Sequence, residues 1–443
     1  MTGPWWGRAR VAVLLTCKEP DVNLSRRRFL GAAGTAAATT LAAGSAFQPA
    51  AAAPSTLPAP ADSGIEHIIV VMMENRSFDH FLGWMPGADG MQSGLSYTDR
   101  YGIPHSTYHL TDYQGCGHPD PDHSYEGGRI QFNNGKNDGW LRAGENDEFA
   151  VGYYNEPDLD FWRQAGPDWT VCDRYFAATM AETYPNRFYQ HAAATDRIHN
   201  SSTTSTLPTI WDSLASAGVS GKYYYGDIPF TALWGTKYQG ISRPYAEFLT
   251  DCSAGTLSSV SFVDPRFTDE GSGTSGDDHP HADIRSGETF LAEVYNAVTS
   301  GPGWASTMLV VNYDEWGGFY DHVPPATAPD TSSQTALRGF RVPSLVVSPR
   351  ARRRYVAHDV YDHTSVLKAI EWRWNLPPLT PRDQAARNIA EVLDFATPPN
   401  LAAPTYLVPP FVAGPACTPV GPPPAEEWSG LKDKALADGW KLP

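Results

Sequence analysis

Five short apolar runs recur along the chain and predict the strands of one sheet. They cover residues 65–73, 222–225, 260–263, 308–313 and 344–347. The first run, IEHIIVVMM, is almost continuously apolar, which is typical of a strand buried on both faces of a parallel sheet. Residues 186–194, 209–217, 287–299 and 365–374 carry helical spacing of apolar positions between the runs. This alternation predicts an α/β fold with a mostly parallel central sheet and helices on both faces.

The composition between the predicted elements indicates how the chain is divided. Residues 94–166 are polar and dense in Gly, Asp, His and Tyr, which predicts a loop-rich insertion over the active edge of the sheet. Residues 54–64 are rich in Ala and Pro and predict a linker. We expect the catalytic domain over residues 65–397 and a Pro-rich C-terminal tail over 398–443, extended at least through residue 423.

The amino terminus has the pattern of an export signal. Residues 25–30 read SRRRFL, a twin-arginine motif, and a weakly apolar stretch follows over residues 31–46. That stretch is too short and too rich in Ala, Gly and Thr to span a bilayer. Small residues then offer an A-x-A cleavage site. We predict a twin-arginine signal peptide over residues 1–53, the Tat translocase as a partner, and a secreted or cell-envelope location; a disordered basic tail is the alternative.

Charge and cysteine content narrow the classes of function. The 443 residues carry a net charge of −16, so a nucleic-acid partner is not expected. Outside residues 1–53, the cysteines are Cys116, Cys172, Cys252 and Cys417. In an oxidising compartment they predict as many as two disulfides, with the pairing open, or else free buried thiols. Because no C-x-x-C pair occurs, a zinc–thiolate site is not expected.

Polar pairs follow two of the predicted strands at the point where each strand ends. Glu74-Asn75 comes directly after the first run, and Asp314-Glu315 follows the run at 308–313. Ligands of open α/β sheets bind outside the carboxyl ends of the strands. Carboxylate and amide oxygens favour Ca²⁺, Mg²⁺ or Mn²⁺ over soft metals. The two pairs therefore predict one metal site at this edge, with solvated strand ends as the alternative.

A third segment, Thr183-Tyr184-Pro185-Asn186-Arg187, has residues suited to a nucleophile at a helix start. Pro185 fits the first turn of a helix, which would place Thr183 at the cap. A hydroxyl beside helix amides and a metal has a lowered pKa, and the amides with Arg187 can hold a tetrahedral anion. An ordinary N-cap threonine is the alternative.

Histidines beside acids are candidates for proton transfer to a leaving group. A neighbouring carboxylate raises a histidine pKa toward the useful range, although adjacency in sequence does not ensure contact. Such pairs include Asp122-His123, Asp278-His279 and Asp362-His363.

These segments together resemble a known family. The stretches MMENRSFDHFLG, TYPNRFYQ, DHPHADIRSGETFL, NYDEWGGFYDHVPP and YDHTSVLKAIEWRWNLPPLTPRD are similar to motifs of the bacterial phosphoesterase family. That family contains phosphatidylcholine-type phospholipases C and acid phosphatase A enzymes, and it belongs to the alkaline phosphatase/sulfatase-like α/β superfamily. The resemblance runs from about residue 66 to about residue 395.

The resemblance implies roles for individual residues. One divalent ion is expected, with Ca²⁺ preferred over Mg²⁺ or Mn²⁺. Its expected ligands are Glu74, Asn75, Thr183, Asp314 and Glu315. Thr183 is also the expected nucleophile. The histidines expected at the phosphate are His123 and His279, with His363 as the next choice, and the expected substrate-binding residues are Asn186, Arg187 and Asp278.

The expected function is that of a metal-dependent phospholipase C. It would cleave phosphatidylcholine-type phosphodiesters to diacylglycerol and phosphocholine through a phosphothreonine. An acid phosphatase acting on small phosphomonoesters is the main alternative. A sulfatase is a further one, because TYPNR resembles the sulfatase segment, although Thr would give a ketone in place of an aldehyde. A non-catalytic binding protein is the last.

The substrate is expected to be a phospholipid or a small phosphate ester. Trp84, Trp140, Tyr154 and Trp316 are candidates either for cradling a choline cation or for core packing. Larger phospholipases C carry added C-terminal domains, whereas this chain ends soon after the predicted catalytic domain. Contact with a membrane surface is therefore expected to be transient at most.

Overall fold

The computed structural model describes residues 56–411, 416–417, 420 and 427–443, so the predicted signal peptide lies outside the described residues. Strands and helices alternate through this part of the chain. In order they are β1 (His67–Met73), α1 (Phe78–Leu82), β2 (Ser96–Thr98), β3 (Pro104–Ser106), β4 (Tyr108–His109), α2 (Tyr125–Phe132), β5 (Gly152–Tyr153), α3 (Asp160–Asp168), β6 (Thr170–Cys172), β7 (Tyr175–Phe176), α4 (Thr183–Ala192), α5 (Ile210–Ser216), β8 (Gly221–Tyr225), β9 (Ser242–Pro244), α6 (Tyr245–Ala254), β10 (Val260–Asp264), α7 (Ile284–Ser300), β11 (Thr307–Tyr313), β12 (Ser344–Val347), β13 (Tyr355–Ala357), β14 (Tyr361–Asp362), α8 (His363–Trp374), α9 (Pro381–Ala385) and α10 (Glu427–Ala437).

Eight of the strands form the central sheet, in the order β13-β6-β12-β11-β1-β10-β8-β9. Neighbouring strands are parallel except on the two sides of β12, which runs against the other strands. All residues of β11 and all but the first of β1 are buried. Side chains of a strand alternate between faces, so both faces of the sheet are covered. The predicted fold class is confirmed.

The five predicted apolar runs correspond to β1, β8, β10, β11 and β12. The direction of β12 could not be predicted, because an apolar run does not encode the direction of its neighbours. The sequence analysis missed β6, β9 and β13, each of which is only three residues long.

The four predicted helices correspond to α4, α5, α7 and α8. The predicted cap of α4 is wrong: Glu182 is the N-cap, and Thr183 is the first residue of the helix. Pro185 does lie in the first turn, where a missing backbone N–H does not break a helical hydrogen bond. The segment predicted as a loop-rich insertion also contains β2 to β5, α2 and most of α3. Helix α3 packs against α7 and buries Trp162.

The C-terminal segment is partly helical, which its proline content did not predict. After Pro423, α10 buries Trp428, Leu431 and Ala435. This i, i+3, i+7 spacing is typical of a helix packed on one face, so the signal was present in the sequence. A disulfide joins Cys417 to Cys116, while the other two cysteines of the described chain are buried and free. None of the described helices is long and apolar enough to cross a membrane.

Candidate active site

The two polar pairs lie side by side at the carboxyl edge of the sheet. Met73 pairs with Tyr313 in the parallel ladder of β1 and β11, so Glu74-Asn75 and Asp314-Glu315 leave the sheet together. The Asp314 backbone N–H donates to the Met73 carbonyl at 3.1 Å. The side chains of Glu74, Asn75, Asp314 and Glu315 are all fully buried. The arrangement concentrates acidic and amide oxygens inside the protein, away from solvent.

Asn75 connects this edge to the predicted nucleophile. Its φ of 59° is left-handed, a region that Asn enters more readily than most residues. The Asn75 backbone N–H donates to Asp314 Oδ1 at 3.3 Å. The Thr183 hydroxyl donates to Asn75 Oδ1 at 3.4 Å. The structure thus brings Thr183, at the start of α4, to the ends of β1 and β11.

Arg187 holds the acidic strand ends together. It lies one turn after Thr183 on α4, and its guanidinium contacts Glu74 Oε1 at 3.0 Å, Asp264 Oδ1 at 3.2 Å and Asp314 Oδ2 at 3.2 Å. It is 1% exposed and is absent from the cavity wall. The predicted substrate contact of Arg187 stays a prediction: in this structure its donors are directed at three carboxylates of the protein.

The electrostatics of this cluster follow from burial and from the unequal number of charges. Burial raises the pKa of Glu74 well above its usual value, Arg187 opposes the rise, and Asp314 and Asp277 add to it. Burial alone would lower the pKa of Arg187, but the surrounding carboxylates, Asp264 first, raise it instead. Arg187 is one positive charge among several buried acids, so the cluster favours a further cation.

The donor set fits a hard divalent cation. Glu74, Asp314 and Glu315 supply carboxylates, Asn75 an amide oxygen and Thr183 a hydroxyl, which are ligands typical of Ca²⁺ or Mg²⁺. The Asn75 Nδ2 atom is buried and has no hydrogen-bond partner among the described residues. An amide held with its oxygen toward the cluster and its nitrogen unsatisfied is consistent with selection for the oxygen.

A second acidic group adjoins Glu74 from the other side. Oxygens of Glu74, Glu270 and Asp277 lie within 4.8 Å of one another. The Glu74 backbone N–H donates to the Asp277 carbonyl at 2.7 Å. Asp277 is fully buried, and its pKa is raised well above the usual value by burial and by Glu270. These two acids extend the negative region beyond the predicted ligands.

Two of the predicted histidines line one cavity. Its volume is about 1000 Å³, and both His123 and His279 lie in its wall. The His123 Nδ1–H donates to the Pro121 carbonyl at 2.8 Å, and its Nε2 lies 4.0 Å from Glu315 Oε1. The His279 Nδ1 lies 3.2 Å from Glu270 Oε2. The two rings meet edge to face at 5.7 Å, so they can act on the same small group.

His363 is placed differently from the two histidines of the cavity. It is fully buried as the first residue of α8. Its Nε2–H donates to the Asp314 carbonyl at 2.7 Å, and its Nδ1 accepts from the Tyr175 hydroxyl at 3.3 Å. Burial lowers the pKa of His363 to about 4. A neutral ring with both nitrogens engaged holds the backbone of Asp314, and the catalytic role of His363 stays a prediction.

Two predicted substrate ligands also point into the protein. Asn186 accepts from the Thr179 N–H at 2.9 Å and donates to the Ala181 carbonyl at 2.7 Å, so it fixes the turn before Thr183. Asp278 accepts from the Tyr313 hydroxyl at 2.6 Å, and burial raises its pKa to about 7. Both side chains are engaged by partners inside the protein, and their role in substrate binding stays a prediction.

The four aromatic candidates lie outside the cavity wall and pack in the protein, the alternative to cradling a choline cation. Trp140, Tyr154 and Trp316 are fully buried core residues. Trp84 is partly buried, and its indole N–H donates to the Phe81 carbonyl. The aromatic residues that do line the cavity are Tyr184, Phe267 and Trp428.

With this geometry established, comparisons with known proteins identify the family. The chain matches the Phosphoesterase family over residues 65–377. The chain belongs to the Phosphoesterase family. It is therefore a phosphoric ester hydrolase, as the sequence analysis predicted.

Relatives of this phosphoesterase occur in bacteria and plants. "Phospholipase C B" of Mycobacterium tuberculosis is 31% identical, over 87% of this chain and 89% of the relative. "Non-specific phospholipase C6" of Arabidopsis thaliana is 29% identical, over 78% and 75%. A crystal structure of a protein in the alkaline phosphatase superfamily from Vibrio parahaemolyticus aligns with a TM-score of 0.37 at 10% identity, covering 67% of this chain and 70% of that one. Because this TM-score is low, the assignment of the fold rests on the strand order of the central sheet and not on this alignment.

The sequence analysis of this phosphoesterase missed part of the cavity wall. Glu270 lies in a loop without strand or motif, and Phe267 lies just before it. Trp428 comes from α10, far along the chain. Tyr184 lies beside Thr183 in the TYPNR motif, but no role in the site was predicted for it. The helical spacing at residues 428–435 was the one signal that would have directed attention to Trp428.

Proposed function

We propose that this phosphoesterase is a secreted phospholipase C that cleaves phosphatidylcholine-type phosphodiesters to diacylglycerol and phosphocholine. The proposal rests on the proximity of the proposed nucleophile, the oxygen-rich strand ends and two histidines. The hydroxyl of the buried Thr183 donates to Asn75 at the oxygen-rich strand ends, and the neighbours of Thr183 in the chain, Glu182 and Tyr184, line the cavity. His123 and His279 face the same cavity. The phospholipase names of the relatives support the substrate class.

Thr183 is the proposed nucleophile. Its oxygen attacks phosphorus, the Thr183 proton passes to a nearby base, and a phosphothreonine forms as the bond to the diacylglycerol oxygen breaks. A water then attacks the phosphothreonine and releases phosphocholine with the threonine hydroxyl restored. A divalent ion bound by Glu74, Asn75, Asp314 and Glu315 would lower the pKa of the attacking hydroxyl and offset charge on the phosphoryl oxygens.

His123 and His279 are the proposed proton donors and phosphoryl-oxygen ligands. Their Nδ1 atoms are held by the Pro121 and Pro280 carbonyls, at 2.8 and 3.0 Å. A ring anchored at Nδ1 keeps a fixed orientation while Nε2 transfers a proton. The leaving diacylglycerol oxygen takes its proton from one of these rings, and the same ring accepts a proton from the attacking water in the second step.

The charge of the cavity favours a zwitterionic choline diester over a dianionic monoester. The acidic lining residues are Asp120, Asp122, Glu182, Asp269 and Glu270, and the described wall contains no Lys or Arg. A phosphomonoester brings an extra negative charge, which these acids repel. A choline group brings a positive charge, which the same acids attract. This supports the diesterase over the acid phosphatase alternative.

Export through the Tat pathway is part of the proposal. The SRRRFL motif at residues 25–30 supports it. The Cys116–Cys417 disulfide supports it too, because structural disulfides persist mainly in oxidising compartments. The ion is proposed to be Ca²⁺, with Mg²⁺ or Mn²⁺ as alternatives, since all of the proposed ligand atoms are oxygens.

The test compares activity on three substrates and measures the effect of removing the Thr183 hydroxyl. The mature protein is assayed on phosphatidylcholine, p-nitrophenylphosphorylcholine and p-nitrophenyl phosphate, with and without chelator. We expect preference for the choline diesters, loss of activity with chelator, and recovery on adding Ca²⁺. Thr183→Ala is expected to lower kcat about a thousandfold or more, as removal of a nucleophile does.

Thr179→Ala is the matched control. Thr179 is equally buried and lies four residues earlier, and its hydroxyl has no hydrogen-bond partner among the described residues. We expect it to retain activity. Wild-type turnover by purified Thr183→Ala would exclude Thr183 as the nucleophile. A strong preference for p-nitrophenyl phosphate would favour the acid phosphatase instead.

A further inference from the structure

Helix α10 contributes a side chain to the wall of the active site. Trp428 is 1% exposed and lines the cavity together with Ser429, Gly430 and Leu431. We propose that Trp428 is a positioning residue that orients the Glu74 carboxylate, and that α10 is therefore an integral part of the site. The inference rests on the proposed function for the reaction, but the contact itself can be tested without it.

The two oxygens of Glu74 are held by donors from two distant segments. The Trp428 indole N–H donates to Oε2 at 3.2 Å, and Arg187 contacts Oε1 at 3.0 Å. With one donor on each oxygen, the plane of the carboxylate is fixed. Loss of either donor would let the carboxylate rotate. Because Glu270 and Asp277 oxygens lie within 4.8 Å, their repulsion would drive that rotation.

The indole is itself held firmly in place. It stacks on Phe267 with ring centroids 3.8 Å apart and an interplanar angle of 6°. It also meets Tyr184, the residue after Thr183, at 5.3 Å. Trp428 thus contacts a proposed ligand of the ion on one side and the flank of the proposed nucleophile on the other. An aromatic ring placed this way can transmit a small displacement to both.

The segment around α10 is tied to the loops of the cavity. The Cys417 backbone N–H donates to the Gly271 carbonyl at 2.7 Å, next to Glu270. Its sulfur is bonded to Cys116, seven residues before His123. After the helix, the Trp440 indole donates to the Gly235 carbonyl at 3.1 Å. The disulfide and the Cys417 hydrogen bond attach the chain before α10, and the Trp440 bond is one further contact after it.

The test uses two matched tryptophan substitutions. Trp428→Phe keeps an aromatic ring for the stack on Phe267 but removes the donor to Glu74. Trp440→Phe removes an indole donor from the same segment, away from the cavity. Chelator-stripped proteins are titrated with Ca²⁺, and in parallel with Mg²⁺ and Mn²⁺, by calorimetry. The kcat and KM values are measured on p-nitrophenylphosphorylcholine.

For Trp428→Phe we expect about a tenfold loss of affinity for the ion and a similar fall in kcat, as loss of one hydrogen bond to a charged group predicts. The KM should change little, because the substrate does not bind through the indole N–H. Trp440→Phe should match the wild type in all three. Trp428→His retains a ring N–H, so its ion affinity and kcat should lie between those of Trp428→Phe and the wild type. If Trp428→Phe does not fold, Trp428→His is compared with the wild type in its place.

Three outcomes would overturn the inference. The first is wild-type ion affinity and kcat in Trp428→Phe. The second is an equal loss in Trp440→Phe, which would indicate only general destabilisation. The third is a wild-type protein that binds none of the three ions. If the wild type binds the ion but hydrolyses no phosphate ester, the proposed function fails, and the ion affinities of the variants still decide the role of Trp428.

Discussion

Replacing Arg187 with Met distinguishes a structural role for this residue from a role in substrate binding. The guanidinium contacts Glu74, Asp264 and Asp314 at 3.0 to 3.2 Å, all inside the protein. Methionine keeps an unbranched apolar side chain but lacks the guanidinium, so the three carboxylates would stay buried with no counter-charge at that position. We therefore expect a large loss of stability before any effect on substrate.

The magnitude follows from the burial of the pairs. Removing one partner of a buried ion pair costs about 3–5 kcal/mol, because the remaining charge is left desolvated. Whole proteins are stable by only about 5–15 kcal/mol, so this loss would be a large fraction. Arg163→Met is the matched control. Arg163 pairs with Asp160 at 2.6 Å, but its side chain is 45% exposed, and such pairs contribute about 0–1 kcal/mol.

The assay is urea unfolding in the presence of chelator, followed by tryptophan fluorescence. Arg187→Met should show a much lower free energy of unfolding than Arg163→Met. Arg187→Lys should lie between Arg187→Met and the wild type, because it keeps the charge without the planar fork. If Arg187→Met were as stable as Arg163→Met and only raised KM, the reasoning would be refuted, and Arg187 would be a phosphate ligand after all.

Two further substitutions test the roles of His363 and Asp278. His363 is held neutral with its pKa lowered to about 4 from the usual 6.5, so its contribution to stability is complete above about pH 6.5 and is lost as the pH falls toward 4. In His363→Gln, the free energy of unfolding should fall less steeply between about pH 6.5 and about pH 4.5, by up to about 1.4 kcal/mol per pH unit. Urea titrations at several pH values measure this slope. An unchanged slope would contradict a buried neutral ring. Asp278→Asn should leave KM for p-nitrophenylphosphorylcholine unchanged, since Asp278 bonds to Tyr313 and not to the cavity; a raised KM in steady-state assays would restore it as a substrate ligand.

The strand ends could be predicted because two simple rules apply to them. Long apolar runs form the central parallel strands, and the carboxyl ends of such strands meet at one edge. Glu74 and Asp314 therefore lie at the same edge of the sheet, independently of the conformation of the loops. Thr183 followed from its motif, and the structure places its hydroxyl beside Asn75.

The direction of the other side chains could not be predicted, because it depends on partners from distant elements. Arg187 turns to the sheet because Asp264 ends β10 next to β1. Asp278 turns inward because the Tyr313 hydroxyl is there to donate to it. Trp428 is separated from Glu74 by 354 residues, and no local pattern records that contact. Polar residues in a motif show which chemistry is available, while their partners in the fold decide what each side chain contacts.

The pairing of Glu74 with Trp428 has a consequence for how the protein is made. Chains are synthesised from the amino terminus, and folding proceeds on what has already emerged. Glu74 and Asp314 can be in place long before residue 428 leaves the ribosome, and the disulfide that ties down the same wall closes over 301 residues. A nascent chain ending before Cys417 would have its complete central sheet but lack one wall of the cavity. Maturation of the site is therefore separated in time from formation of the sheet, and an unfinished chain is kept from having a complete active site.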